Sequence, residues 1–341
     1  MKRKVGVSGT GRIGRLVIRQ ILSDANSQLE LEAINSTAPA ETVAHLLKYD
    51  TVHGTWNTEI SVEHGNLLID GQLIQVVSER EPEDIPWESL NVEIVIDATG
   101  KFNYRQGAQK HLAAGASYVI ITAPGKGMDL TVVMGVNDHL LDLSKHTLLS
   151  AASCTTNCVA PVLSILDQAF RVKRSWMTTV HSFTSDQRHM DNPHKDLRRA
   201  RACMQSIIPT TTGVGKALRD VLPHLAPYVE GLSLRVPTQD VSLADFTVEV
   251  PRQVSIDEVR SVFKTAAHEN RYVGYTEEPL VSADFIGCDK SAIVDGLSIM
   301  VAGNQIKVLA WYDNEWAYAN RVINLAQAIQ QRIEKAKSLQ L

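Results

Sequence analysis

The residues best suited to covalent chemistry in this chain are Cys154 and His181. Cys154 stands in the stretch 152–158 (ASCTTNC), directly ahead of an apolar segment with helical spacing, so we predict that a helix begins there. The N–H groups and dipole at a helix N-terminus favour the thiolate, which would make Cys154 an activated nucleophile. The alternative is a buried, inert cysteine.

His181 lies in a β-type run that covers residues 176–183. A single histidine on a strand is often structural. Beside a nucleophilic cysteine it would instead be a general base. The sequence leaves open whether the two side chains meet.

Other polar clusters of the second half could bind anions. Residues 186–206 are rich in Arg and Lys and include Arg198, which indicates a solvated face, an anion site or a subunit contact. Residues 210–213 (TTTG) combine hydroxyls with a flexible backbone, which suits a phosphate cradle or a turn. Arg235 is predicted on a strand.

A glycine-rich turn near the start of the chain predicts a nucleotide site. A short β-type run over 4–7 is followed by Gly9, Gly11 and Gly14, then by helical apolar spacing and a second β-type run over 29–34. This order is typical of a dinucleotide-binding fold, in which the glycines bring the backbone close to a pyrophosphate at a helix N-terminus.

The end of the second predicted strand bears on the choice of cofactor. It reads Asn35-Ser36-Thr37, without the carboxylate that NAD-type folds place about 20 residues past the glycines. Hydroxyl and amide donors favour NADP, while an NAD or dual-specificity site lacking this contact is the alternative. Thr99, Gly100 and Thr122 follow two further strands and are either cofactor contacts or ordinary turn residues.

Composition excludes several classes of protein. The 341 residues, 44% hydrophobic and 21% charged, predict a globular protein of two domains. A net charge of −4 argues against a general nucleic-acid binder. Four cysteines do not form a disulfide framework or a zinc site, and we find neither a signal peptide nor a membrane span, so a cytoplasmic protein without a metal is expected.

Five motifs together give the chain a family resemblance. They are GTGRIGR at 9–15, HLLKYD at 45–50, SCTTNC at 153–158, DLRRAR at 196–201 and WYDNEW at 311–316. With them the whole chain resembles phosphorylating glyceraldehyde-3-phosphate dehydrogenases. Within that family, Asn35-Ser36 and the stretch 191–195 (DNPHK) are similar to the bacterial NADP-preferring, gluconeogenic branch.

The resemblance implies a role for each matching residue. Cys154 is similar to the nucleophile that forms a thioester, and His181 to its base. Thr184 and Arg235 resemble the site of the substrate phosphate. The residues that resemble the inorganic-phosphate site are Ser153, Thr155, Arg198, Thr212 and Gly213. The residues that resemble cofactor contacts are Gly9, Gly11, Arg12, Ile13, Gly14, Asn35, Ser36, Arg80, Thr99, Gly100, Thr122, Asn192 and Asn314, with Asn314 at the carboxamide and Asn192 reaching in from a neighbouring subunit.

The resemblance also implies an architecture. It is of the α/β class: a Rossmann domain over 1–152 and 318–341, closed by the C-terminal helix, and an α+β catalytic domain over 153–317 with a mixed or antiparallel sheet. The family is homotetrameric and acts on glyceraldehyde 3-phosphate and inorganic phosphate with NADP or NAD.

Several positions depart from the family pattern. Ser8 and Thr10 stand where Asn and Phe are usual, Gln239-Asp240 replaces Pro-Asn, and Ala317 replaces Gly. None of these changes removes a catalytic group.

Two other functions were weighed. Erythrose-4-phosphate dehydrogenases use no phosphate acceptor, and Ser182 beside His181 is the one feature favouring them, whereas Thr184, Thr212 and Gly213 argue against them. A non-catalytic dinucleotide sensor on the same fold is opposed by the presence of Cys154 and His181 together.

Overall fold

The computed structural model describes residues 2–338, which form two compact units. Within this range, the first unit takes residues 2–134, 138–153 and 319–338, and the second takes residues 135–137 and 154–318. The chain therefore passes from the first unit to the second between Ser153 and Cys154.

The first unit contains most of the strands in the N-terminal half. They are β1 (Arg3–Ser8), β2 (Leu29–Asn35), β3 (Tyr49–Asp50), β4 (Gly54–Thr55), β5 (Ile60–Glu63), β6 (Asn66–Ile69), β7 (Gln72–Val77), β8 (Ile94–Asp97), β9 (Tyr118–Ile121), β10 (Leu130–Thr131) and β11 (Leu148–Ser150). Its first three helices are α1 (Arg12–Ser23), α2 (Ala40–Lys48) and α3 (Arg105–Ala113).

Nine of these strands form one sheet in the order β10-β11-β9-β8-β1-β2-β7-β6-β5. The six neighbouring strands β11, β9, β8, β1, β2 and β7 are parallel to one another. Their order, with β8 on one side of β1 and β2 on the other, is that of a doubly wound dinucleotide-binding fold. Strands β5 and β6 extend the sheet as an antiparallel hairpin. The predicted Rossmann class is confirmed.

Continuous apolar runs explain the parallel strands. In β1 and β8 almost every side chain is buried, as expected for strands covered on both faces. Helix α1 buries one apolar stripe that includes Leu16, Val17 and Ile21.

The second unit is built from three helices and eight strands. The helices are α4 (Cys154–Phe170), α5 (Val214–Val221) and α6 (Ile256–Glu269). The strands are β12 (Arg174–Ser182), β13 (Ile208–Thr211), β14 (Val229–Val236), β15 (Ser242–Glu249), β16 (Val273–Thr276), β17 (Ala292–Asp295), β18 (Met300–Ala302) and β19 (Gln305–Tyr312).

These strands form a mixed sheet in the order β13-β14-β12-β15-β19-β17-β16, with β18 beside β19. Most neighbours are antiparallel, and β12 runs parallel to β14. Burial alternates along β15, because one face of the sheet packs on α4 while the other does not. The predicted α+β class of the catalytic domain is confirmed.

The last helix, α7 (Trp316–Ser338), returns the chain to the first unit. Its Val322, Leu325 and Ile329 are buried. Arg3 Nε on β1 donates to Gln330 Oε1 at 2.7 Å, which ties this helix to the parallel sheet.

Short 3₁₀ turns complete the described chain, at Pro82–Asp84, Asp138–Leu140, Cys203–Gln205, Ala226–Tyr228, Ser282–Phe285 and Gly296–Ser298. Between residues 2 and 338, no helix has both the length and the apolar character needed to cross a bilayer.

Candidate active site

Cys154 is the first residue of helix α4, as the sequence predicts. The backbone reaches it through Ala152, which adopts the left-handed conformation with φ 56°. Such backbone conformations are held against strain by their surroundings and concentrate at functional sites. Cys154 as a residue is partly exposed, while its thiol lies among Thr155, His181 and Arg235.

His181 is brought to Cys154 by the strand β12. The distance from Cys154 Sγ to His181 Nε2 is 3.5 Å, within hydrogen-bonding range for sulfur. His181 Nδ1 lies 2.7 Å from the Ser182 carbonyl oxygen, which can only accept. Nδ1 therefore carries the proton, and Nε2 presents its lone pair to the thiol.

Burial and a neighbouring cation set the protonation of this pair. Burial and the Arg235 guanidinium both lower the pKa of His181, while the hydrogen bond to Ser182 raises it. The net effect is a pKa of about 3. Burial raises the pKa of the Cys154 thiol, against a lowering by Arg235 and Thr155. Burial thus favours the uncharged form of each group, and His181 is placed to assist the helix N-terminus in activating the sulfur.

Tyr312, at the end of β19, supports both partners. Its ring meets the His181 ring edge-on, with centroids 5.9 Å apart and an interplanar angle of 80°. Its hydroxyl lies 3.1 Å from Thr155 Oγ1, on the residue after the cysteine. The Tyr312 ring therefore limits rotation of the imidazole.

Asn314 lies in the turn between β19 and α7 and is buried. Its Oδ1 accepts hydrogen bonds from Ser182 Oγ and from Ser242 Oγ, each at 2.7 Å. The preceding Asp313 caps the next helix by accepting from the N–H groups of Glu315 and Trp316. Both the backbone and the side chain of Asn314 are thereby fixed.

Among the predicted phosphate ligands within residues 2–338, only Arg235 has its guanidinium next to the pair formed by Cys154 and His181. Its Nη1 lies 3.1 Å from His181 Nδ1 and donates to the Ser182 carbonyl at 3.1 Å. Since Nδ1 is already a donor, the second of these contacts is the hydrogen bond and the first is close packing.

The other predicted anion ligands are distributed over several elements. Thr184 follows β12, and its N–H donates to Gln187 Oε1 at 2.8 Å. Thr212 and Gly213 precede α5, where Gly213 is the N-cap residue. Ser153 directly precedes Cys154 in the chain.

The charged segment 186–206 is partly neutralised by its own acids. Arg199 pairs with Asp186, and Arg201 Nε contacts Asp191 at 3.0 Å. Arg198 is exposed, and its Nη1 reaches the Pro209 carbonyl at 3.5 Å. Asn192 is exposed in the same segment.

A polar cleft of about 290 Å³ opens in the first unit at the carboxyl ends of β1, β2 and β8. Six of the predicted cofactor contacts line it: Gly9, Gly11, Asn35, Ser36, Arg80 and Thr99. Arg12, Ile13 and Gly14 form the first turn of α1, and Gly100 and Thr122 follow β8 and β9.

The glycines of this cleft fit a bound pyrophosphate. A Cβ at Gly14 would lie 2.0 Å from the Gly9 carbonyl oxygen, so the turn closes only with glycine there. A Cβ on Gly11 would meet no described atom within 4 Å, since this backbone faces open space. No described side chain caps the N-terminus of α1. The residues present therefore suit an anionic group held by backbone N–H groups.

The end of β2 carries hydroxyls where a carboxylate is usual. Thr10 Oγ1 and Ser36 Oγ are 2.7 Å apart, and Ser36 Oγ also accepts from the Ala38 N–H at 3.2 Å. One of the two hydroxyls donates its proton to the other oxygen. The second hydroxyl therefore keeps a proton that it can donate into the cleft. Asn35 instead joins the end of β2 to the loop after β7, since its Oδ1 accepts from the Glu79 N–H at 2.8 Å.

Two further sets of side-chain contacts hold the cleft in place. Trp87 Nε1 donates to His111 Nδ1 at 3.0 Å, and His111 Nε2 faces Asp97 Oδ2 at 3.3 Å. Asp97 Oδ1 in turn accepts from Thr99 N–H and its hydroxyl. Arg12 forms an ion pair with Asp50. Burial alone would raise the pKa of Asp50, but hydrogen bonds and the Arg12 charge outweigh it and lower this pKa to about 2.

The departures from the family pattern are accommodated locally. Ser8 Oγ accepts from Asn35 Nδ2 at 3.2 Å. Burial, with the Asp313 charge nearby, raises the pKa of Asp240, which favours its uncharged carboxyl. Ala317 is buried in the first turn of α7. Gln239 is exposed.

Sequence analysis missed Tyr312, the pairing of Ser242 with Asn314, and the Trp87–His111–Asp97 chain. Tyr312 stands two residues before Asn314 inside a motif that was recognised, which is the one signal that could have identified it. Serines and buried histidines carry no such signal, because their partners are distant in sequence.

Two family models match this chain. The model described as "Glyceraldehyde 3-phosphate dehydrogenase, NAD binding domain" matches residues 3–105. The model described as "Glyceraldehyde 3-phosphate dehydrogenase, C-terminal domain" matches residues 153–314.

Curated bacterial proteins are similar over nearly the whole chain. Glyceraldehyde-3-phosphate dehydrogenase 2 of Bacillus subtilis is 49% identical over 337 residues, 98% of each chain. Glyceraldehyde-3-phosphate dehydrogenase 1 of Bacillus cereus is 50% identical over 326 residues, 95% of this chain and 97% of that one. The Geobacillus stearothermophilus enzyme is 49% identical over 332 residues, 96% of this chain and 98% of that one. The chain belongs to the glyceraldehyde-3-phosphate dehydrogenase family of nicotinamide-dependent oxidoreductases.

Proposed function

We propose that this chain is a phosphorylating glyceraldehyde-3-phosphate dehydrogenase, which converts glyceraldehyde 3-phosphate and inorganic phosphate to 1,3-bisphosphoglycerate, and the reverse, through a thioester on Cys154. The observation that carries the proposal is the 3.5 Å contact between Cys154 Sγ and His181 Nε2 in a chain of this family. A thiol and a base at this distance are the elements of nucleophilic catalysis.

The oxidative half begins with the sulfur. Cys154 Sγ bonds to the aldehyde carbon, and the carbonyl oxygen receives a proton to give a hemithioacetal. His181 Nε2 then accepts the hydroxyl proton while the C=O bond re-forms and the carbon loses a hydride, which leaves a thioester. When bound, a nicotinamide dinucleotide supplies the acceptor for that hydride. The pKa of His181, about 3, keeps Nε2 unprotonated for this step.

The acyl-transfer half regenerates the enzyme. A phosphate oxygen bonds to the thioester carbon, the C–S bond breaks, and the sulfur recovers its proton from His181. We assign the substrate phosphate to Thr184 and Arg235, and the attacking phosphate to Ser153, Thr155, Arg198, Thr212 and Gly213. The position of Arg235 beside His181, and that of Thr212 and Gly213 at the N-terminus of α5, support this assignment.

We assign the adenosine and pyrophosphate of the cofactor to the cleft of the first unit and its carboxamide to Asn314. NADP is the proposed preferred form, with NAD as the alternative. The hydroxyls of Thr10 and Ser36 support NADP, as do Arg80 and Lys101, which line the cleft together with one acidic residue, Glu79. A carboxylate at Ser36 would repel a 2′-phosphate.

A homotetramer in the cytoplasm completes the proposal, with Asn192 reaching the adenosine of a neighbouring subunit. Its support is the family resemblance and two large apolar side chains exposed on one sheet face of the second unit, Trp176 at 61% and Leu232 at 46%. All four cysteines are free thiols, which is typical of a reducing compartment.

A rapid-quench experiment tests the thioester directly. With glyceraldehyde 3-phosphate and NADP but no phosphate, we expect a burst of reduced cofactor close to one per site and an acyl adduct on the Cys154 peptide. Cys154→Ser should show neither, while it binds NADP like the wild type, because Cys154 is absent from the nucleotide cleft. Cys203→Ser, a buried cysteine outside the site, is the matched control. A normal burst in Cys154→Ser would refute the nucleophile.

A further inference from the structure

We propose that Ser182 and Ser242 are positioning residues: their hydroxyls fix the carboxamide of Asn314 so that its NH₂ group, and not its oxygen, faces the nicotinamide amide. The inference rests on the proposed function, which gives Asn314 its ligand. It goes further by assigning to this chain a pair of residues that determine how that ligand's reactive ring is oriented.

The contacts leave little freedom to the Asn314 side chain. Ser182 and Ser242 are almost completely buried, and Asn314 is 5% exposed. Each serine hydroxyl donates to Asn314 Oδ1 at 2.7 Å, and these two bonds use both lone pairs of that oxygen. The Nδ2 group is then the part of the amide that remains for a ligand.

The opposite orientation of the amide leaves a buried donor unsatisfied. If Nδ2 pointed at the serines, both hydroxyl protons would need other acceptors. Within residues 2–338 the other short contact between them is that from Ser182 Oγ to Ser242 Oγ, at 3.4 Å, which can serve one proton. The second proton would have no acceptor, and a buried unsatisfied donor is strongly unfavourable. The serines therefore select one of the two amide orientations.

Ser182 also connects this selection to the base. Its carbonyl accepts from His181 Nδ1 at 2.7 Å and from Arg235 Nη1 at 3.1 Å, and its N–H donates to Ser242 Oγ at 3.1 Å. Ser182 therefore has two roles. Its backbone carbonyl fixes the proton on His181, and its side chain fixes the Asn314 amide. The group that accepts the substrate proton and the group that orients the hydride acceptor share one rigid residue.

The test compares two ligands that differ only in the nicotinamide. Calorimetry gives dissociation constants for NADP and for 2′-phospho-ADP-ribose, which lacks the ring. In Ser182→Ala/Ser242→Ala we expect NADP to bind about tenfold more weakly, as for the loss of one oriented hydrogen bond, while 2′-phospho-ADP-ribose binds as in the wild type. Ser182→Ala alone keeps the Ser182 N–H bonded to Ser242 and should give a smaller loss of the same kind.

A matched control comes from the same strand. Ser175, near the start of β12, is buried with a hydroxyl that has no described partner, so Ser175→Ala should change neither constant. If the double variant fails to fold, Ser182→Ala decides the question with the same two ligands.

The outcomes separate the two hypotheses. Equal weakening of both ligands, or unchanged NADP binding, overturns the positioning role while the proposed function stands. Wild-type protein that binds neither ligand overturns the proposed function, and the positioning role with it.

Discussion

Arg235 is the residue through which the charges of the active site are balanced. Its guanidinium lowers the pKa of both Cys154 and His181, while burial acts in opposite directions on the two. One cation therefore favours the nucleophilic form of the sulfur and the unprotonated form of the base together.

We expect Arg235→Gln to raise the pKa of the Cys154 thiol, because the nearest positive charge is lost. The measurement is the rate of alkylation of the Cys154 peptide by iodoacetamide as a function of pH, followed by mass spectrometry. The rise of this rate should move to higher pH, and alkylation at pH 7 should be slower. Arg174→Gln, exposed at the start of β12, should leave the profile unchanged. An unmoved profile in Arg235→Gln would show that Arg235 does not act on the sulfur.

Ser36 is the residue on which the proposed preference for the phosphorylated cofactor depends. Ser36→Asp should reduce the ratio of kcat/KM for NADP to that for NAD by about tenfold or more, because a carboxylate repels the 2′-phosphate and accepts from a free 2′-hydroxyl. The new side chain can still accept from Ala38 N–H, so the strand end should keep its structure. Ser36→Asn, which introduces a neutral side chain of the same size as Asp, is the control. A ratio that does not change in Ser36→Asp would contradict the assignment.

Residue types that are rare and reactive could be identified from the sequence. The sequence predicts Cys154 at the start of a helix and His181 on a strand, and the structure places them in contact. The pairing of Ser182 and Ser242 with Asn314 could not be foreseen, because these residues are 132 and 72 positions from Asn314 and serine is common in strands.

At the scale of elements, the turn between β1 and α1 depends on two glycines for different reasons. Gly14 permits the helix to approach the turn, since a Cβ there would overlap the Gly9 carbonyl. Gly11 leaves space above the helix N-terminus. One glycine therefore serves packing, and the other leaves room for the proposed ligand.

These roles predict opposite results for two alanine variants. Gly14→Ala should lower the free energy of unfolding by about 2 kcal/mol or more, because backbone must move to admit the methyl group. Gly11→Ala should leave stability within about 0.5 kcal/mol but weaken NADP binding about tenfold, since its methyl group occupies the approach of the pyrophosphate. Denaturant titration and calorimetry measure the two effects. Equal effects of the variants on both quantities would contradict this division.

The order of elements was predictable wherever hydrophobic periodicity was strong. The predicted strands at 4–7 and 29–34 correspond to β1 and β2, and the last amphipathic helix to α7. The hairpin β5–β6 and the chain from Trp87 to Thr99 were not foreseen. They depend on contacts between distant residues, which local patterns do not encode.

At the scale of the molecule, the exposed sheet face of the second unit is the feature that a single chain does not explain. Trp176 and Leu232 lie on neighbouring strands, and their register places both side chains on the same face. Because large apolar side chains exposed on one face are typical of protein interfaces, we propose that this face belongs to the interface of the tetramer.

Trp176→Glu/Leu232→Glu should therefore disrupt the proposed tetramer. Analytical ultracentrifugation should give four copies of the 37.6 kDa chain for the wild type and smaller species for the variant, because two charges would be buried without partners. Leu73→Glu, at an exposed leucine in the first unit, is the control. A tetramer that survives the double substitution would place the interface elsewhere.

The proposed reaction is tested most directly by the initial rate with glyceraldehyde 3-phosphate, using NADP and then NAD at matched concentrations, each with and without inorganic phosphate. We expect turnover that requires phosphate and is faster with NADP. Sustained turnover without phosphate would contradict the acyl phosphate product and favour the erythrose-4-phosphate dehydrogenase type of chemistry. Faster phosphate-dependent turnover with NAD would contradict the cofactor assignment at Ser36.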